Sequence, residues 1–426
     1  MIKYKRYERY KDSGVEWIGE IPEHWNVTKL GYRARMIVPM RDKPTEFNGD
    51  IPWIRIEDVD GKYIEDSKSE QRVSKELVKK MNLKVYPIGT VLCTCSCNMG
   101  TTAIVKKPLI SNQTFIGIVP MKDLDSTFLY YAMNANSKRL QHLAEGAIQQ
   151  YLSRHDFEHL KLAFPNENEQ IAIANFLDQK TAEIDGLIAD KEKLIELLQE
   201  KRQAIITEAV TKGLNPNVKM KDSGIEWIGE IPEHWEVKKL KHVSNITMGQ
   251  SPKSEECSYD EIGVPFLQGN AEFTNVHPIP KMYCNTANKF SKVNDILLSV
   301  RAPVGAINIS DRVYGIGRGL CAITAKKVIM KYLWYSLNVS LEELFIKSKG
   351  STFEAVTVTD VQNLLIILPP KNEQDDIVNF LDKKTAEIDG LVIEIKKQIE
   401  KLKEYRQSLI SEAVTGKIYV RDYAID

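Results

Sequence analysis

From Leu177, steps of four and three residues reach Thr181, Ile184, Ile188, Lys191, Ile195, Leu198, Arg202, Ile205 and Ala209. From Leu381 the same steps reach Thr385, Ile388, Val392, Ile395, Ile399, Leu402, Arg406, Leu409 and Ala413. Apolar residues at this spacing line one side of an α-helix and form a coiled-coil seam. Neither stretch contains proline, so each predicts one long helix, and Gly213 is a natural stop for the first. Leu177 to Ala209 spans about 48 Å at 1.5 Å per residue. Polar seam residues recur at Thr181/Thr385 and Arg202/Arg406, a register device. Two such helices in one chain most simply pair with each other, antiparallel, which relates the two halves by a pseudo-two-fold axis. The alternative at this point is that each helix packs on its own domain.

The rest of the chain reads as short strands and loops, and it too comes in two copies. Lys11 to Leu30 (KDSGVEWIGEIPEHWNVTKL) matches Lys221 to Leu240 (KDSGIEWIGEIPEHWEVKKL) at an offset of 210. The helical blocks, from NEQIAIANFLDQKTAEIDGL and NEQDDIVNFLDKKTAEIDGL, match at 204, so the second insert is six residues shorter. Ile51-Pro-Trp-Ile and Val264-Pro-Phe-Leu each begin a strand, Thr90–Thr94 aligns with Asp295–Ser299, and Ile116–Val119 aligns with Cys321–Thr324. The segments are therefore 1–165, a helix over 166–213, 214–370, a helix over 371–416, and a tail, 417–426, that carries no pattern. The two inserts share one α+β fold despite their divergence.

Composition narrows the function by exclusion. With 58 basic and 58 acidic residues the net charge is zero, which argues against holding nucleic acid by bulk electrostatics alone but permits local basic patches. No apolar run is long enough to span a membrane, and the basic N-terminus lacks the apolar core of a secretory signal, so a cytoplasmic protein is expected. The six cysteines show no zinc-like spacing and read as reduced, packed thiols, with Cys93, Cys95 and Cys97 alternating along one strand face. No phosphate loop, HExxH, GxSxG or Asn/Asp-Pro-Pro-aromatic motif occurs. The repeated His24 and His234, each in Pro-Glu-His-Trp, read as structural corners rather than a catalytic pair. No catalytic or metal-ligating residue is assigned.

These repeated words, WIGEIPEHW and above all PxNEQxxIxxFLDxKTAEIDGL followed by EAVT, resemble the specificity subunit of type I restriction–modification systems over nearly the whole chain. The resemblance implies two mixed α/β target-recognition domains joined by two long antiparallel coiled-coil helices with pseudo-two-fold symmetry. It implies a non-catalytic subunit that reads a bipartite, asymmetric site in double-stranded DNA, one half-site per domain. Two modification subunits, using S-adenosylmethionine to methylate adenine N6, and restriction subunits, using ATP and Mg, are the implied partners. The helices then act as a ruler for the unread gap. A coiled-coil scaffold that assembles other proteins without reading bases is the competing class.

Under this reading the repeated positions are frame, and readers lie where the copies differ. Arg55 aligns with Gln268 directly after the Ile51 and Val264 strands, and Gln113 aligns with Arg318 in a loop. Arg and Gln make bidentate contacts to guanine and adenine respectively. Gln149, Gln150, Tyr151, Ser153 and Arg154 precede the first helical block. Gln250 and Ser251 follow Gly249, and Ser351 and Thr352 follow Gly350, in loops suited to approach phosphate. The doublets Lys79-Lys80, Lys106-Lys107 and Lys326-Lys327 are further phosphate candidates, though solvated surface is their simpler reading.

Overall fold

The computed structural model describes residues 4–40, 42–96, 98–144, 151–226, 228–252, 256–348 and 356–420, with only the backbone described for 342–348. The chain forms two compact units, Met1–Glu192 with Lys396–Asp426, and Lys193–Ile395. Each unit therefore takes one end of each long helix.

The two long helices run Glu167–Lys212 and Lys371–Val414, 46 and 44 residues without a break. Gly213 and Gly416 follow them with φ of 76° and 73°, the left-handed conformation that ends a helix at low cost only for glycine. Leu177, Ile184, Leu381, Ile388, Ile395, Ile399 and Leu409 are buried. Ile188, Ile195, Leu198, Ile205, Val392 and Leu402 are half-buried. In the first unit, Ile173, Leu177 and Ile184 share a core with Leu409, Ile410 and Ala413. In the second unit, Ile377 and Leu381 share one with Ile206, Ala209 and Val210. The start of one helix thus lies beside the end of the other in both units, which is antiparallel pairing. The helices also pack on their own domains, so the two packing alternatives both hold, at different points along the seam.

The polar seam residues divide the same way. Arg406 reaches Asp185 across the helix pair at 2.8 Å, and Arg202 reaches Asp389 at 3.3 Å. Thr181 and Thr385 instead bond back to Leu177 and Leu381 and face the hydroxyls of Tyr131 and Tyr335. Those threonines set helix against domain, a correction to their reading as part of the helix–helix register.

In the first unit a five-stranded sheet runs in the order Ala34–Ile37, Phe115–Pro120, Val91–Thr94, Thr102–Val105, Tyr63–Ile64. Its central strand is buried on both faces: Val91 and Cys93 enter one core and Leu92 the other. The helix Ser126–Ala135 covers the first face. A small sheet, Ile110–Ser111, Ile51–Ile54, Arg72–Val73, lies beside it. The second unit repeats this plan. Ser244–Met248, Leu320–Ala325, Ile296–Ser299 and Ile307–Ile309 form its main sheet, with Leu297 facing the opposite core from Ile296 and Leu298. In both units the strand after the Glu-His-Trp word pairs antiparallel with the strand before the long helix, Asn26↔Phe164 and Glu236↔Leu368.

Two features differ from what the sequence suggests. Cys257 and Cys284 form a disulfide, so the reading of six reduced cysteines is corrected. They lie 27 residues apart and become directly opposed only when strands Cys257–Ser258 and Met282–Cys284 pair, which no spacing motif reveals. The described part of the tail, 417–420, is also structured: Ile418 and Val420 are buried, and Tyr419 N donates to Lys5 O at 2.8 Å. Among the described residues no helix is long and apolar enough to cross a membrane.

Candidate nucleic-acid interface

The conserved-looking words of the two copies build the frame. Glu169 is fully buried; Tyr7 Oη donates to its Oε1 at 2.6 Å and His24 Nε2 lies 2.9 Å from its Oε2. In the second unit His234 Nε2 and Trp235 Nε1 reach the two oxygens of Glu373 at 2.8 and 2.9 Å. Both histidines are thus tied to the repeated Asn-Glu-Gln word. The glutamines of that word are buried clamps: Gln170 accepts from Asp125 N and donates to Pro165 O and Asp123 O, while Gln374 accepts from Ile329 N and donates to Pro369 O.

Several of the differing positions lie in loops that follow the strands of the small sheets. In the second unit Val264–Leu267 runs parallel to Gly315–Ile316, and Gly317 N donates to Leu267 O. Gln250 N donates to Ile316 O, which brings a third segment alongside. A Cβ on Gly249 would stand 2.2 Å from Gly317 O, so the close approach of these loops requires glycine there. Gln268 Nε2 donates to Ser251 Oγ at 2.8 Å, and Arg318 N donates to the same oxygen at 3.3 Å. Gln250, Gln268 and Arg318 are exposed. Three segments distant in sequence therefore present Gln250, Ser251, Gln268 and Arg318 together.

The backbone also brings Arg301 beside Arg318, a residue that the differences between the copies did not mark. Val300 N donates to Gly319 O, next to Arg318, and Arg301 is exposed. Its signal was available: Arg301 follows the buried Ser299-Val300 pair at the end of a fully buried strand, where a cation has no packing role.

The first unit uses the same scaffold differently. Ile51–Ile54 runs parallel to Ile110–Ser111, and Asn112 N donates to Ile54 O. Beside this junction lies a cavity of about 310 Å³ whose lining includes Asp42, Lys43, Trp53, Asn112 and Gln113. Lys43 Nζ stands 5.7 Å from the Trp53 ring centre, a cation–π contact. Arg55 is only half-exposed, pairs with Glu57 at 3.1 Å, and does not line this cavity. Gln113 is brought to the site; Arg55 is turned from it.

The segment before the first long helix is mixed in role. Tyr151 is exposed, and its side chain hydrogen-bonds Cys95. The Ser153 hydroxyl donates to Asp156 in a helix cap that Thr357 and Asp360 repeat in the second unit, which gives Ser153 a frame task. Arg154 bonds Glu158 at 2.7 Å and lines a cleft of about 590 Å³ with Arg35 and Lys84, whose lining holds no acidic residue. Arg35 points outward between buried Ala34 and Met36, an alternation readable in the sequence. Gln149, Gln150, Ser351 and Thr352 lie outside the described residues. Of the lysine doublets, Lys106 stacks on Tyr63 and Lys107 approaches Glu65 at 3.6 Å.

Burial sets the thiols of the main sheets. It raises Cys95 to about 11 and Cys321 to about 12, and raises Cys93 further still. These groups pack as small apolar side chains and are poor nucleophiles.

Residues 37–197 and 232–401 match the family model described as the type I restriction modification DNA specificity domain. A putative type I restriction enzyme specificity subunit, MjaX, from Methanocaldococcus jannaschii is 32% identical over 99% of both chains. A chain from a structural study of complex assembly in a type I restriction–modification system covers 93% of this chain and 99% of its own, with a TM-score of 0.72 at 23% identity. The crystal structure of the HsdS subunit from Thermoanaerobacter tengcongensis covers 93% of this chain and 98% of its own, with a TM-score of 0.51 at 24% identity. Two copies of one frame carry the two family matches, and the chain belongs to the type I restriction–modification DNA specificity subunits, which are not themselves catalytic.

Proposed function

We infer that each unit reads one half of a bipartite, asymmetric site in double-stranded DNA. The observation that carries this is the pair of exposed clusters on one shared frame. Gln250, Ser251, Gln268, Arg301 and Arg318 form one; Lys43, Asn112 and Gln113 form the other. Two different clusters on equivalent loops call for two different half-sites. Arg35 and Lys84, in a cleft whose lining holds no acidic residue, supply phosphate contacts that the neutral net charge does not, beside an Arg154 that is paired with Glu158.

The partners in this reading are two modification subunits, which bind S-adenosylmethionine and methylate adenine N6, and restriction subunits, which use ATP and Mg. Leu194, Leu197, Leu391 and Ile393, exposed by 44 to 55%, offer apolar helix surface in the second unit for such docking. The complex works on cytoplasmic DNA. Segments 1–165 and 214–370 are the recognition domains, and the unbroken helices set the gap.

Exchanging residues 31–160 for the corresponding segment of a different specificity, then mapping methylated adenines in cells that carry the modification subunit, tests this. One half-site should change while the other and the gap persist. A contiguous motif, or change in both halves, would overturn the reading.

A further inference from the structure

We propose that Gln268 is the adenine-reading residue of the second unit, with its carboxamide set in the reading orientation by Ser251 and admitted by Gly317. This rests on the two-reader function above and adds the base and the residue.

The amide is engaged through its nitrogen. Nε2 gives one hydrogen to Ser251 Oγ at 2.8 Å, and Arg318 N holds that same oxygen at 3.3 Å. Ser251 is therefore a fixed acceptor, held from two sides. Among the described residues Gln268 makes no other side-chain hydrogen bond, which leaves one N–H and the carbonyl oxygen on an exposed side chain. A donor beside an acceptor is the complement of adenine in the major groove, which offers N7 as acceptor and the N6 amino group as donor. Guanine offers two acceptors there and cytosine a donor only, so neither satisfies both groups.

The neighbouring backbone makes room for this placement. A Cβ on Gly317 would stand 2.7 Å from Gln268 Oε1, and one on Gly319 would stand 2.7 Å from Gln268 O. Gln268 leaves the strand Val264–Leu267 directly after buried Leu267, so its backbone is held by the sheet. The amide thus sits one residue beyond a sheet strand, which anchors the start of its loop. In the first unit Asn112 stands at the position aligned with Gly317, and Arg55 at that of Gln268. The same arrangement cannot form there, as expected for readers of different half-sites.

The test uses the full chain assembled with its modification subunit and a randomised duplex DNA library, with enriched sequences read out. Wild type should enrich a bipartite motif. Gln268→Glu is isosteric but replaces the donor by a second acceptor, and it should lower the preference for adenine at one position of one half-site by about 10- to 100-fold. The new preference there should move toward cytosine, whose amino group suits a carboxylate. Ser251→Ala should weaken the same position without changing its base. The other half-site should stay as in wild type, which shows that the variants fold. An unchanged motif in Gln268→Glu, or an altered position that held a base other than adenine, overturns the proposal while leaving the two-reader function standing. A wild-type complex that enriches no bipartite motif overturns both.

Discussion

His24 Nε2 lies 2.9 Å from Glu169 Oε2, joining the two most repeated words of the chain, Pro-Glu-His-Trp and Asn-Glu-Gln. His234 and Glu373 repeat the contact at 2.8 Å. Residues about 140 positions apart are thus preserved in both copies because each corner needs both. The corners are not equivalent. Glu169 is fully buried and takes its further bond from Tyr7, whereas Glu373 is one-third exposed and takes it from Trp235.

That asymmetry predicts unequal costs. Glu169→Ala leaves Tyr7 without its buried acceptor and should destabilise the first unit by about 2 kcal/mol. Glu373→Ala, partly screened by solvent, should cost the second unit closer to 1 kcal/mol. Urea unfolding of each variant measures this, and equal costs would contradict the burial argument.

The Arg406–Asp185 and Arg202–Asp389 pairs should contribute little to stability. Their carboxylates are more than half exposed, and exposed ion pairs are worth about 0.2–1 kcal/mol. A double-mutant cycle on Arg406 and Asp185 should give a coupling in that range that fades in high salt. A coupling of several kcal/mol would mean that the pair is shielded from water.

Cys257 and Cys284 close a loop of 27 residues in the second unit. In the chain-entropy account such a link stabilises by about 3.5 kcal/mol. Reduction by dithiothreitol, or the paired change Cys257→Ser with Cys284→Ser, should lower the melting temperature of the second unit and leave the first unchanged. A melting profile indifferent to reductant would argue that the link adds nothing to folding.

The buried thiols give alkaline pH a defined effect. Cys95 and Cys321 are raised by burial from 9.0 to about 11 and about 12. Above pH 9 the unfolded chain loses these protons while the folded chain keeps them, so stability falls as pH rises. The decline should begin near pH 9 and continue to about 11 for Cys95 and about 12 for Cys321. At neutral pH iodoacetamide should label neither in the folded protein. Rapid labelling of Cys321 at pH 7 would contradict its burial.

Inserting one heptad into the middle of both long helices preserves the seam. It lengthens each helix by about 10 Å, the rise of about three base pairs at 3.4 Å each. The gap between half-sites should widen accordingly, with the bases of each half unchanged. An unchanged gap in the methylation map would sink the ruler idea.

The sequence by itself determined the duplication, the two helices and their seam, and the central strands. Each rests on periodicity or repetition, which a linear chain displays directly: Ile184 and Ile388 recur at the same seam position of the two copies, and both are buried. It also marked Gln268 and Arg318, because positions that differ between copies stand out against the frame, and Ser251, because it follows Gly249 in a loop suited to phosphate. Only the tertiary structure decided which of the marked residues meet. It gathered those three around one oxygen, turned Arg55 onto Glu57 and gave the Ser153 hydroxyl to a helix cap. It also opposed Cys257 to Cys284 and set Tyr419 against Lys5. Such contacts depend on strand register and loop closure between distant segments, and a one-residue slip in register would put each side chain on the other face.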